Sequence, residues 1–266
     1  MTPQAMEALG RYLLAMADDE LVIGYRDTEW TGVAPVLEED LAFSSIGLDE
    51  VGHARLFYSL LHDLTGVQID YRARREDEYL HAQMLERACT PRYQPDGRHT
   101  GESDWAYAIV RQYLYDRFDA ERLQALRECS WQPLALAVDK VQREEKYHLQ
   151  HGQVWLARLA SGSLEARERL DSALSRALPE TSGFFEPVEG EDLLVAEGVL
   201  ARSSRQLRER WLEGLAPVFE QHGLPLPAGG DALPHLGGRL GRHTHDWDQL
   251  WDEMTSVYRL DPAATW

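Results

Sequence analysis

Two Glu-x-x-His pairs, Glu50/His53 and Glu145/His148, stand in this chain, and each follows a lone carboxylate by about thirty residues: Glu20 before the first, Asp116 before the second. The pattern recurs at a nearly constant offset, with 95 residues between the two pairs and 96 between the two lone acids. Glutamate and histidine three apart project from one helical face, one turn apart, so both can reach one cation. Two helices with such pairs, and two more with one acid each, are the parts of a carboxylate-bridged dinuclear metal centre in a four-helix bundle. Oxygen and imidazole donors suit iron, manganese and zinc alike, so ligand type does not choose among them. Four carboxylates and two imidazoles also leave coordination positions where dioxygen can bind.

Asp49 and Glu144 each precede a proposed ligand by one residue. A carboxylate there can accept the free ring N–H of a histidine across the core, which predicts Asp49 with His148 and Glu144 with His53. The alternative for both is an exposed helix acid. A third Glu-x-x-His, Glu78/His81, lies among Arg74, Arg75, Glu76 and Asp77 without an apolar stripe and reads as a solvated face. Asp119, one turn from Asp116, is its main competitor as ligand. His151 reads as a partly exposed helix histidine, and His243 and His245 as cap or surface residues. Which residues act catalytically is not legible.

The elements that must position these side chains read as helices. Over residues 3–25, Ala5, Leu9, Leu13, Met16, Glu20 and Ile23 share a face, which places Glu20 toward the core. A second helix is expected over 36–63, ended by Gly66. A long polar connection then fills 67–103, with a charged helical piece at 73–89 and a loop marked by Pro91, Pro95 and Gly97. Helices over 104–129 and 133–160 follow, Pro133 suiting the first turn of the latter. Short links within each pair and a long one between them describe two helical hairpins joined by a crossover. The expected fold is therefore all-α, a ferritin-like four-helix bundle. Residues 1–266 are expected to form one domain, with a core bundle over about 3–160. A helical extension over about 163–266 would hold helices at 163–177, 191–222 and 244–258. Trp105, Tyr113, Phe118 and Trp155 are expected to pack the bundle.

Composition sets bounds on partners. Lys and Arg number 27 against 45 for Asp and Glu, a formal charge of −18, which disfavours nucleic acid and anionic membranes as partners. Two cysteines, Cys89 and Cys129, make no disulfide framework, and no basic start leads into an apolar stretch, so a reducing cytoplasm is expected. Arg26, Arg55, Arg117, Lys140, Arg143 and Lys146 are the cations available to phosphates, although such residues on helices commonly form surface pairs.

The segments Asp18–Trp30 (DDELVIGYRDTEW), Pro35–Arg55 (PVLEEDLAFSSIGLDEVGHAR), Ile109–Asp116 (IVRQYLYD) and Arg143–His148 (REEKYH) resemble the phenylacetic acid catabolic protein family. The likeness covers nearly the whole chain to Trp266, and within the family it is greatest to the C-type subunits. It implies a ferritin-like fold and membership of a dioxygen-dependent epoxidase acting on the aromatic ring of phenylacetyl-CoA. An A-type catalytic subunit with a di-iron site, a small B subunit and a reductase are the implied partners, and a homodimer is a further expectation. C-type subunits in this family are regarded as structural and have lost the metal ligands. This chain departs from them: matched to the A-type pattern, Glu20, Glu50, His53, Asp116, Glu145 and His148 are all acids or histidines. That departure puts the purely structural role in doubt.

Overall fold

A computed structural model of the chain describes residues 1–93, 99–100, 103–227 and 234–264. The architecture is all-α apart from a two-residue antiparallel pair, β1 (Arg92–Tyr93) with β2 (His99–Thr100). Four long helices form the ferritin-like bundle: α1 (Pro3–Thr28), α2 (Leu37–Thr65), α3 (Trp105–Leu126) and α4 (Gln132–Ala160). Among the described residues four more follow: α5 (Leu164–Glu180), α6 (Glu191–Ala196), α7 (Ser204–Gln221) and α8 (His245–Leu260). None of the helices described is long and apolar enough to cross a membrane.

Local chemistry starts and stops these helices where the sequence suggests. Thr2 accepts the Ala5 amide ahead of Pro3, and Asp104 accepts the Tyr107 amide at the head of α3. Gly66, at φ 74°, takes the left-handed conformation that ends α2. Helices α1 and α2 pack as one hairpin, and α3 and α4 as the other. In the first hairpin two glycines face each other: a Cβ at Gly47 would lie 2.8 Å from the Gly24 carbonyl oxygen. In the second, a Cβ at Gly152 would lie 3.3 Å from the Tyr113 Cα, tight but open enough for a small adjustment.

α1 and α3 are buried nearly all round, whereas α2 and α4 bury a narrow stripe. On α4 that stripe is Leu134, Val138, Val141, Glu145, His148, Gly152 and Leu156, and it carries Glu145 and His148 inward with their apolar neighbours. α6 packs on α1, and α5 and α7 on α3, so the later helices wrap the two central ones. Trp105 stands edge-on to Trp30 and Trp155, while Phe118 stacks on Phe184.

Three expectations need correction. The segment expected as a charged helix over 73–89 contains only single 3₁₀ turns, Tyr71–Ala73, Glu76–Glu78 and Gln83–Glu86. Two of its backbone donors are satisfied by α1 instead of by a helical ladder: Asp18 accepts the Leu80 amide at 2.7 Å and Asp19 the Ala82 amide at 2.9 Å. Pro95 and Gly97 of the expected loop lie outside the described residues. The single helix expected over 191–222 is two, α6 and α7. The chain turns at Gly198 (φ 67°), and Ser203 with Gln206 makes a capping box that restarts it.

The third correction concerns histidines. Glu78 is exposed, but His81 is fully buried and stacks on His243 with ring centroids 4.2 Å apart. Both rings meet Glu86, His81 Nε2 at 2.6 Å and His243 Nδ1 at 3.1 Å. Those contacts hold the Glu86 carboxyl down at about 2 against the opposing effect of burial. His243 is thus a clasp between α8 and the crossover, not a surface residue; His245 is exposed.

Candidate metal centre

Glu20 projects from α1, Glu50 and His53 from α2, Asp116 from α3, and Glu145 and His148 from α4, and all six are buried. The imidazole Nδ1 atoms of His53 and His148 each stand 3.2 Å from the same Glu145 oxygen, Oε1. Glu50 spans the pair as well, with Oε2 3.4 Å from His53 Nδ1 and Oε1 3.4 Å from His148 Nδ1. Glu20 Oε2 is 3.7 Å from His53 Nδ1. Glu50 and Glu145 thus lie between the two imidazoles, each within reach of both.

Burial of so many charged groups needs a compensating partner. Glu20 Oε2, Glu50 Oε2, His53 Nδ1, Asp116 Oδ2, both oxygens of Glu145 and His148 Nδ1 have no hydrogen-bond partner. These are the atoms that would coordinate. Donor atoms of Glu20, Glu50, His53 and Glu145 all lie within 4.8 Å of one another, a cluster of the size a cation occupies. The residues therefore fit a carboxylate- and imidazole-bound metal site.

Without cations, protons must balance the charge. Burial and the nearby Glu50 carboxylate push the Glu20 carboxyl up to about 8. Burial and Glu145 raise Asp116 well above the usual carboxylate range. Burial favours neutral imidazoles, yet the surrounding carboxylates overcome it: His148 is pushed up to about 12, chiefly by Glu145, and His53 is raised by the nearby carboxylates of Glu145, Glu20 and Glu50. Glu145 is lowered, because the two imidazoles outweigh its burial. Metal uptake by such a site displaces protons.

The outer contacts lie across the bundle. Glu144 stands 2.9 Å from His53 Nε2, and Asp49 3.4 Å from His148 Nε2. His151 meets Glu39 at 2.7 Å instead of extending the centre. Asp119, the competitor of Asp116, is bound through Oδ1 by Arg122 at 2.7 Å. Sequence reasoning missed three supports on α3. Gln112 donates to Asp116 at 2.6 Å, while Tyr115 (2.8 Å) and Arg122 (2.7 Å) donate to Glu20 Oε1. An arginine within a buried helix was the available signal for the last.

Of the cations available to phosphates, Arg26 is buried and bonded to Glu29, the Glu86 carbonyl and the Asp246 carbonyl, and Arg117 pairs with Glu121. Arg143 and Lys146 instead border a surface hollow of about 530 Å³ whose lining includes Ala120, Tyr147 and Glu145.

The model of the family described as phenylacetic acid catabolic protein matches residues 1–266. The chain is 31% identical over 262 residues to the C-type subunit of 1,2-phenylacetyl-CoA epoxidase from Escherichia coli (strain K12), covering 98% of this chain and 100% of the relative. It is 26% identical over 252 residues to the A-type subunit of the same epoxidase and organism, covering 91% of this chain and 74% of that one.

Proposed function

We propose the function from one premise: the chain belongs to the phenylacetic acid catabolic protein family. In this reading it is a subunit of a multicomponent epoxidase acting on the aromatic ring of phenylacetyl-CoA. It holds its own dinuclear centre, of iron, through Glu20, Glu50, His53, Asp116, Glu145 and His148. The observation that carries the reading is the set of unpartnered buried donor atoms drawn from all six residues. A bound di-iron pair would supply dioxygen activation.

The chain's own residues supply the surroundings. Glu50 and Glu145 each reach both imidazoles and so hold the two halves at a fixed separation. Glu144 accepts from the outer nitrogen of His53 and fixes that ring's tautomer. The bundle keeps water from the centre, and the hollow beside Glu145 is the approach, with Arg143 and Lys146 offering cations to the phosphates of an anionic thioester. The two relatives' names, subunits C and A of one epoxidase, support assembly with an A-type partner. A small B-type component, a reductase and a cytoplasmic location complete the proposal.

A second reading has its own support: identity is higher to the C-type relative than to the A-type one. The chain would then be a structural partner that stabilises the A-type protein. One experiment separates the two. Metal content of the Glu50→Ala/Glu145→Ala protein should fall from about two per chain to none, with helical circular dichroism unchanged. Epoxidation by the reconstituted complex that falls in step supports a working centre, and epoxidation that survives supports the structural partner. Unchanged metal content removes the centre altogether.

A further inference from the structure

The two halves of the centre carry matching ligands held by unlike neighbours. On the first, Glu20 Oε1 accepts from the Tyr115 hydroxyl at 2.8 Å and from the Arg122 guanidinium at 2.7 Å. Arg122 is itself fixed by Asp119 at 2.7 Å and Asp19 at 3.1 Å. Glu20 is left with one oxygen to offer, Oε2, and turning it would strip a buried guanidinium of a carboxylate partner. On the second half, the bond that Asp116 accepts comes from the neutral Gln112 amide, at 2.6 Å. Turning Asp116 breaks one ordinary hydrogen bond.

The guanidinium orients Glu20 without adding a bare positive charge to the site. Asp119 lies against it, and Asp19 is shared with Arg239 at 2.8 Å. Geometry separates the halves in the same sense. Glu20, Glu50, His53 and Glu145 place one donor atom each within 4.8 Å of the others, so a first cation can be met with little movement. His148 meets Glu145 and Glu50 at the same distances as His53 does, so the halves part at the lone acid: Asp116 stands outside that group of four.

We propose that the centre fills in a fixed order: a first divalent cation takes the Glu20/Glu50/His53/Glu145 pocket, held ready by Arg122 and Tyr115 as positioning residues, and a second enters beside His148 once Asp116 swings to meet it. The inference rests on the dinuclear reading above and deepens it. It also makes the Asp116 side the half whose carboxylate can change its mode of binding, while Glu20 stays fixed.

Calorimetric titration of the metal-free protein with Mn(II) tests this, with free Mn(II) followed in parallel by electron paramagnetic resonance. Two resolved steps are expected, the first tighter by about tenfold or more, the scale on which supporting residues act. Asp116→Ala should keep the first step and lose the second, whereas His53→Ala should lose the tight step. Tyr115→Phe, which removes one hydroxyl from a buried ring, should weaken the first step by about tenfold and leave the second unchanged. Arg122→Lys, which keeps the charge and loses the fork, should do the same. Two indistinguishable steps, or an Asp116→Ala protein without the tight one, overturn the order while leaving the centre. Absence of uptake by the unaltered protein overturns the centre itself.

Discussion

The α1/α2 hairpin and the α3/α4 hairpin present the same ligand types in the same order, and yet the first is the more tightly built. Its helices meet glycine to glycine at Gly24 and Gly47, while the second pair meets through Gly152 against the Tyr113 backbone. Its lone acid is fixed by a charged fork and a hydroxyl; the other's is held by an amide. Its imidazole has the closer outer carboxylate, 2.9 Å against 3.4 Å. Ligand identity is thus written twice, and rigidity once. A repeated local pattern sets which atoms can bind a cation, whereas residues outside the repeat set how firmly each is held.

Changing the pH of the metal-free protein should disturb the centre through its raised carboxyls, Glu20 on the first half and Asp116 on the second. The folded-state pKa of Glu20, about 8, lies above its ordinary value of 4.5. Its contribution to stability is therefore fully present below about pH 4.5 and is lost as the pH rises through about 8, at up to about 1.4 kcal/mol per pH unit. Scanning calorimetry with chelator present should show the melting temperature falling between pH 5 and pH 8. Glu20→Gln should flatten part of that slope. Equal slopes in the two proteins would mean that Arg122 and Tyr115 already keep Glu20 ionised.

Packing gives the next largest contrast. Gly47→Ala drives a methyl against a backbone carbonyl that cannot yield cheaply and should cost about 1–3 kcal/mol in denaturant unfolding. Gly152→Ala, whose new atom needs only a few tenths of an ångström, should cost clearly less. If the two substitutions cost the same, the difference in helix approach does not distinguish the hairpins.

The outer carboxylates give the smallest effect. Glu144→Gln should weaken metal affinity by about tenfold, and Asp49→Asn by less, because its contact with His148 is longer. Metal titration followed by elemental analysis reads both. A larger loss from Asp49→Asn would reverse the ranking of the two halves.

The bundle and the burial of its six acid and histidine side chains were legible because helical periodicity is a local property: Glu20 shares a face with Leu13 and Ile23, and Glu145 with Val141 and His148. The crossover was not, because its form depends on Asp18 and Asp19, about sixty residues earlier, satisfying its backbone. The clasp of His81 with His243 joins positions far apart in the chain and leaves no periodic trace. Arg122 was missed for a related reason: its meaning lies in partners on α1 that no spacing rule connects to it. The break between α6 and α7 was within reach, since Gly198 and the Ser203/Gln206 box mark it in the sequence.

Asp18, Asp19 and Glu20 are consecutive, and they face in three directions from a single turn of α1. The first two moor the strand of chain that crosses the outside of the bundle, and the third points to its middle. Rim and hub are therefore spokes of one turn. Whatever loosens the outer strap must tug on the same few backbone atoms that aim the innermost carboxylate, so the periphery of this molecule is mechanically part of its core.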